Sequence, residues 1–313
     1  MQLSDRIGRR LKLQDLHILM TVVQAGSMRK AATLLNTTQP AVSRSIGELE
    51  AAMGVRLLDR TPQGIEPTNY GRALLDGGEA AFDELFQAIK KIEFLADPAA
   101  GEVRVGSIAP LAAGFIPEII NRLLRHHPRM VFRVVSAQVE TLHRELTERK
   151  LDLLIVPRLE LFPEELFAFE TLYDTSYVVV AGAQNPLVRR RKIELAELAN
   201  ELWVLPPPEH ALGPIYSEAF RKSGLAYPHT TVVTMSSEVR MSLLATGRFL
   251  TFFHDDALKM SPQHWEIKAL PVRLPIAPVA NGIVTPTNRT LSPAAQLFID
   301  CARELAKPLA KRK

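Results

Sequence analysis

A single cysteine, Cys301, stands among 313 residues, so no internal disulfide can brace the chain. In a C-terminal helical pattern that lone thiol reads as a buried structural residue in a reducing compartment. Aromatic residues are scarce at 6%, which lends little support to a flat aromatic ligand. No apolar stretch approaches the roughly 18 residues a membrane helix needs. Charges interrupt every apolar run of MQLSDRIGRRLKLQDLHILM, which is unlike a secretory signal; a soluble, cytoplasmic protein is expected. Signatures of catalysis are also lacking. There is no Walker A loop, no G-x-S-x-G and no G-x-G-x-x-G, and SMRK at 27–30 matches S-x-x-K without an SDN or KTG partner. His126, His127, His210, His229, His254 and His264 lack metal-ligand spacing, and the adjacent acids Asp255 and Asp256 read as loop residues rather than an acid/base couple. No enzyme, cofactor or metal site is expected.

The chain is long for one core, and two or three domains are expected. Hydrophobic residues at 47% and charged residues at 23% are ordinary globular usage. The distribution of charge says more than the net +4. Residues 1–72 hold 10 basic against 6 acidic side chains, residues 73–100 hold 2 against 6, and the excess of the remainder gathers in the tail RELAKPLAKRK. The N-terminal segment is thus a basic module, by itself a weak sign of nucleic acid.

Three short helices open the chain. LQDLHILMTVVQAG places Leu16, Leu19, Met20 and Val23 on one face, with Gly26 as its stop. Ser27 occupies an N-cap position before MRKAATLL, and Thr38 caps a third helix that tolerates Pro40 in its first turn and ends at Gly54. In this third helix Val42, Ile46, Leu49 and Met53 form one stripe, which leaves Pro40, Ser43, Arg44 and Gly47 on the opposite arc with Gln39 beside them. Small residues are expected where the helices touch, at Ala31, Ala32 and Ala41. This is the pattern of a helix-turn-helix, whose second helix enters the major groove. Gln39 suits adenine, Arg44 suits guanine or a phosphate, Ser43 accepts either, and Ser27 and Lys30 suit phosphates. A solvated surface helix is the alternative at this point.

VRLLDRTPQGIEPTN then reads as two short strands about a PQG turn, a small wing edged by Arg56, Arg60 and Thr61. Thr68 caps NYGRALLDGGEAAFDELFQAIKKIEFLA, in which Leu75, Phe82, Leu85, Ile89 and Ile92 make a coiled-coil-like seam. Gly77 and Gly78 cost about 1 kcal/mol each relative to alanine, so this helix needs a partner. Dimerisation is the inference, packing on its own chain the alternative. After the DPAAG hinge the texture becomes β-α-β-α-β through VRVGSI, MVFRVVS and LDLLIVP, the arithmetic of a parallel sheet. YVVVAG closes this half near residue 182, ELWVLPP, TTVVTM and FLTFFHD repeat the alternation, and a last helix follows. Two similar lobes imply a ligand in the cleft beside the carboxyl ends of their strands. The expected architecture is an all-α winged helix-turn-helix over 1–67, a linker and dimerisation helix over 68–96, and an α/β two-lobed domain over 97–313. Its first lobe runs from about 101 to 182 with a C-terminal return, its second from about 183 to 275.

SMRKAATLLNTTQPAVSRSIGELEAAMGVRLLDRTPQGIEPTNYGRALL closely resembles the LysR-type transcriptional regulators of bacteria, through S-x-x-x-A-A-x-x-L, T-Q-P-A-V-S-R-x-I-x-x-L-E, M-G-x-x-L-L-x-R and T-x-x-G. The resemblance extends over the whole chain. It implies a periplasmic-binding-protein-like effector domain and a homodimer or homotetramer on double-stranded promoter DNA. It also implies a small-molecule effector that alters DNA bending or contact with RNA polymerase. Carried over by position, it implies DNA contacts at Thr38, Gln39, Pro40, Ser43 and Arg44, with Ser27, Lys30, Arg60 and Thr61 on the backbone or at the wing. For the effector it points to Ser107 after the first strand, Ser136 and Gln138 after the second, and Ser236 and Ser237 in the second lobe. Two departures from the family are Arg149, where glycine is common, and Ser136, where an acid or glycine is frequent.

Overall fold

The computed structural model describes residues 11–62, 64–210, 212–260 and 266–310. Gln63 of the PQG stretch, His264, the first ten residues and the final KRK of the basic tail lie outside them. The chain divides within one long helix, between Ile89 and Lys90, into two compact units.

The first unit begins with α1 (Leu13–Ala25), α2 (Met28–Leu34) and α3 (Gln39–Met53). Gly26 and Gly54 end α1 and α3 in the left-handed region, at φ 64° and 73°, where a side chain would be strained. The inward stripe of α1 steps 16, 19, 22, so Val22 is fully buried where Val23 was expected, and Met20 and Val23 are half-buried. Ala31 and Ala32 are buried in the contact between helices, but Ala41 is exposed and belongs to the outer arc of α3. Val42, Ile46 and Leu49 close the core against Leu19, Val22 and Leu57, and Ala52 completes the buried face of α3 where Met53 was expected. β1 (Leu58–Thr61) and β2 (Gly64–Pro67) pair antiparallel as the wing. The Glu50 carboxylate accepts the amides of Leu57 and Leu58 at 2.7 and 3.2 Å, which fixes the wing to the end of α3. α4 (Asn69–Ala96) follows, capped by the Thr68 hydroxyl, which accepts the Gly71 amide at 3.0 Å. A Cβ at Gly71 would fall 2.1 Å from the Leu57 carbonyl oxygen, so only glycine lets the wing lie this close.

Further along, Leu85, Phe86, Ile89, Ile92 and Leu95 of α4 are 45–71% exposed. Isolated apolar residues on a surface are ordinary; a continuous stripe on a single helix is not.

The second unit holds two sheets. β3 (Ala100–Ser107), α5 (Ala109–Ala113), α6 (Phe115–Leu124), β4 (Arg129–Ser136), α7 (Val139–Thr147), β5 (Leu153–Pro157) and β6 (Phe167–Thr175) build the first lobe. One helix was expected over 111–127. The structure breaks it at Gly114, because Pro117 has no amide hydrogen to donate and its ring would crowd the carbonyl of residue 113. β7 (Tyr177–Gly182), β8 (Leu202–Leu205), α8 (Gly213–Lys222), β9 (Thr230–Val233), α9 (Ser237–Ala245), β10 (Phe249–His254), α10 (Asp255–Met260) and β11 (Ile267–Ala269) build the second. β12 (Val279–Pro286) and α11 (Pro293–Ala310) return to the first.

The first sheet has the order β4-β3-β5-β12-β6 and the second β11-β7-β10-β8-β9. Each is a parallel trio joined by an antiparallel strand, β12 beside β5 and β7 beside β10. YVVVAG therefore belongs to the second lobe: the chain crosses at residues 175–177, not near 182. Its alternation is satisfied by either sheet, and the pairings to Leu250–His254 and to Ile267–Ala269 decide the matter. β5 is buried at every position, as a central strand covered on both faces must be. The first lobe is aliphatic at its centre, around Val103, Val105, Leu154 and Ile155. The second is aromatic: Tyr216 stacks on Phe252 at 4.6 Å and 14°, and Trp203 on the same ring at 5.4 Å.

Candidate nucleic-acid interface and ligand pocket

Thr38 is extended, and its side-chain oxygen accepts the Ala41 amide at 3.4 Å, which starts α3 where its exposed arc begins. Gln39, Pro40 and Arg44 are exposed and Ser43 is half-buried, while Val42 on the reverse side is 0% exposed. Among the described residues no side-chain hydrogen bond or ion pair engages Gln39, Ser43 or Arg44. Ser45 behaves differently: its hydroxyl donates to Asp15 at 2.9 Å and ties α3 to α1. Ser27 precedes α2 without a side-chain cap bond, and Lys30 is exposed on that helix. Arg60 is exposed on β1, but the Thr61 hydroxyl donates to the Gly64 carbonyl at 3.3 Å and is engaged in the wing turn. The sequence-derived residues are thus of two kinds, those that hold the module in shape and those without a side-chain partner among the described residues.

In the second unit a cavity of about 530 Å³ opens at the carboxyl ends of the parallel strands of both lobes. Ser136, Gln138, Ser236 and Ser237 line it. Ser107 does not: it is 0% exposed and its hydroxyl donates to the Ile155 carbonyl at 2.6 Å, because a central strand end lies within reach of its neighbour. Ile108 lines the cavity in its place. Ser236 is partly engaged, since it accepts the Val239 amide as the cap of α9 and donates to the Glu238 carboxylate at 2.8 Å.

Sequence reasoning missed His210, Arg240 and His254, all of which line the cavity. Two signals were available. Arg240 lies four residues after Ser236, on the same helical face, and His254 ends a strand where ligands of such sheets gather. Burial pulls the His254 imidazole down to about 4, against a smaller opposing effect of Asp256, so the ring is neutral near pH 7. Burial also lowers His210. Among the described residues neither ring nitrogen of His254, nor His210 Nε2, nor Arg240 Nε has a hydrogen-bond partner although all are buried.

Asp255 and Asp256 open α10 rather than a loop. The Asp256 carboxylate accepts the Tyr173 hydroxyl at 2.7 Å and the Thr175 hydroxyl, which ties α10 of the second lobe to β6 of the first beside the cavity. Burial beside that carboxylate pushes the Tyr173 phenol well above its ordinary range. Among the described residues no group of His, Cys, Asp and Glu could hold a metal ion, and no helix is long and apolar enough to cross a membrane.

Comparison with known proteins matches the two units separately. Residues 13–72 fit the bacterial regulatory helix-turn-helix protein of the lysR family, and residues 96–307 fit the LysR substrate binding domain. The HTH-type transcriptional regulator GbpR of Azospirillum brasilense is 23% identical over 97% of this chain and 89% of its own. A full-length OxyR variant from Pseudomonas aeruginosa shares the fold at TM-score 0.67 and 21% identity, covering 97% of this chain and 99% of that one. Full-length CbnR in complex with its target DNA does so at 0.65 and 17%, covering 94% and 99%. With the DNA-module pattern at one end and the ligand-domain pattern over the rest, the chain belongs to the LysR family of bacterial regulatory helix-turn-helix proteins.

Proposed function

We propose that this protein is a sequence-specific transcription regulator of the cytoplasm that binds double-stranded promoter DNA through α3 and responds to a small molecule held between its two α/β lobes. In this reading Gln39, Pro40, Ser43 and Arg44 meet base edges in the major groove. Ser27, Lys30, Thr38, Arg60 and Thr61 meet the backbone or carry the wing. The observation that carries it is the outer arc of α3, an amide, a hydroxyl and a guanidinium with no side-chain partner among the described residues, opposite a stripe that is wholly buried. CbnR, a relative in fold, is bound to its target DNA in its own structure, and the same kind of partner is assigned here. The exposed stripe of α4 supports a homodimer or homotetramer that places two such helices on one operator. Ser136, Gln138, Ser236 and Ser237 serve the effector, whose presence alters DNA bending or contact with RNA polymerase. No catalytic step belongs to this reading.

Genomic selection of bound fragments supplies the operator, and titration of Arg44→Ala on it supplies the test. Loss of about 1 to 3 kcal/mol of specific binding is expected, with unfolding temperature unmoved. Undiminished affinity for the preferred site removes Arg44 from the interface.

A further inference from the structure

We infer that the cavity between the lobes takes a small monocarboxylate, its carboxylate held by Arg240 and His210. This rests on reading the cavity as the effector site and names the chemistry of its occupant.

The argument begins with donors. Arg240 lines the cavity with Nε buried and unpartnered, and no ion pair engages its guanidinium among the described residues. A guanidinium can only donate, so what it lacks is an acceptor, best a planar two-oxygen one. The His210 ring is constrained similarly. Its Nδ1 accepts the Leu212 amide at 3.2 Å, so the proton of the neutral ring sits on Nε2, and that N–H is buried without a partner among the described residues. Two unmatched donors from two different segments line one cavity, and an unpaired buried donor is costly unless a ligand supplies the acceptor.

The charge count then limits the occupant. Among the described lining residues Arg240 is the one formal cation and Glu238 the one formal anion. Glu238 is exposed and already accepts from Ser236, and Glu140, in the first turn of α7, lies near enough to His210 to act on it. His254 is neutral and adds no charge. A single carboxylate is therefore matched, whereas a second carboxylate or a doubly charged phosphate would face Glu238 and Glu140 with no further cation. The remainder of the wall is mixed. Ser136, Gln138, Thr141 and Thr234 offer hydrogen bonds, and Leu212, Pro206 and Phe252 offer apolar surface, so the body of the ligand carries both kinds of group.

The test uses the full-length protein and calorimetric titration with a matched panel: short-chain hydroxy- and keto-monocarboxylates, their primary amides, the corresponding dicarboxylates, and phosphate monoesters of similar size. At least one monocarboxylate is expected to bind about tenfold or more tightly than its amide and than its dicarboxylate counterpart. Arg240→Gln should lose about tenfold or more of that affinity, with partial recovery in Arg240→Lys. Equal binding of acid and amide, preference for a dicarboxylate or a phosphate, or no binding across the panel would overturn the monocarboxylate. Ala137→Trp, which fills the cavity wall, separates this proposal from the reading beneath it. Neutral compounds that bind and are excluded by Ala137→Trp overturn the carboxylate and leave the effector site standing. Binding indifferent to Ala137→Trp overturns both.

Discussion

The outer arc of α3 and the wall of the inter-lobe cavity both present polar side chains, yet they use them in opposite ways. On the outer arc of α3, Gln39, Ser43 and Arg44 project from a helix whose reverse side is sealed by Val42, Ile46 and Leu49, and their side chains have no hydrogen-bond or ion-pair partner among the described residues. Around the cavity several of the polar groups hold the domain together. Ser107 bonds a neighbouring strand, Ser236 caps α9, and Asp256 joins two lobes through Tyr173 and Thr175. A recognition surface made of one helix can be changed without changing the fold. In a pocket assembled from two sheets the two duties fall on residues side by side, so a substitution there alters stability or binding according to which duty the residue carries.

The largest consequence of that difference is a pH effect confined to the pocket. His254 is buried and neutral, with its folded-state value near 4 against about 6.5 for an unfolded chain. The unfolded state therefore binds the extra proton between those values. The contribution of His254 to stability is complete above about pH 6.5 and is lost as pH falls toward 4, about 2 to 3 kcal/mol of it by pH 4.5. Thermal unfolding of the wild type and His254→Gln near pH 7.5 and near pH 4.5 reads this directly. The wild type should lose that much more than the variant, and parallel losses would show that burial of this imidazole does not govern the pocket's stability.

The same contrast explains what could be read from sequence. The caps at Thr38 and Thr68, the stops at Gly26 and Gly54, and the sealed stripe of α3 depend on neighbours within about four positions, and periodicity reports them. The destination of β7 does not: Tyr177–Gly182 is equally suited to either sheet, and partners dozens of residues away choose. Arg149 shows the local case from the other side. It adopts φ 58°, which is why glycine is usual there, and the departure was visible in sequence while its backbone was not. Ser107 shows the limit, since its place at a strand end was legible but the carbonyl that takes its hydroxyl lies 48 positions away. Ser107→Ala should thus cost about 1 to 2 kcal/mol of stability by leaving a buried carbonyl short of a partner, while effector affinity stays as it was. Ser136→Ala should do the reverse in a binding titration. Exchange of these two outcomes would place Ser107, not Ser136, against the ligand.

The smallest expected effect is also the sharpest test of the α3 surface, because it adds one carbon and no charge. A Cβ built at Gly47 meets nothing within 4 Å, so no contact among the described residues requires glycine in the middle of this helix. Alanine there should raise stability by up to about 1 kcal/mol through helix propensity alone. Gly47 lies on the arc with Ser43 and Arg44, where a DNA backbone seated against the helix would meet the new methyl group. Gly77 on α4 has equally open surroundings and serves as the control. Both variants should unfold at higher temperature, but only Gly47→Ala should weaken operator binding, by a few-fold. If the two variants bind alike, α3 meets DNA at its first turn and tilts away from the groove before Gly47, and the readout narrows to Gln39, Pro40 and Ser43.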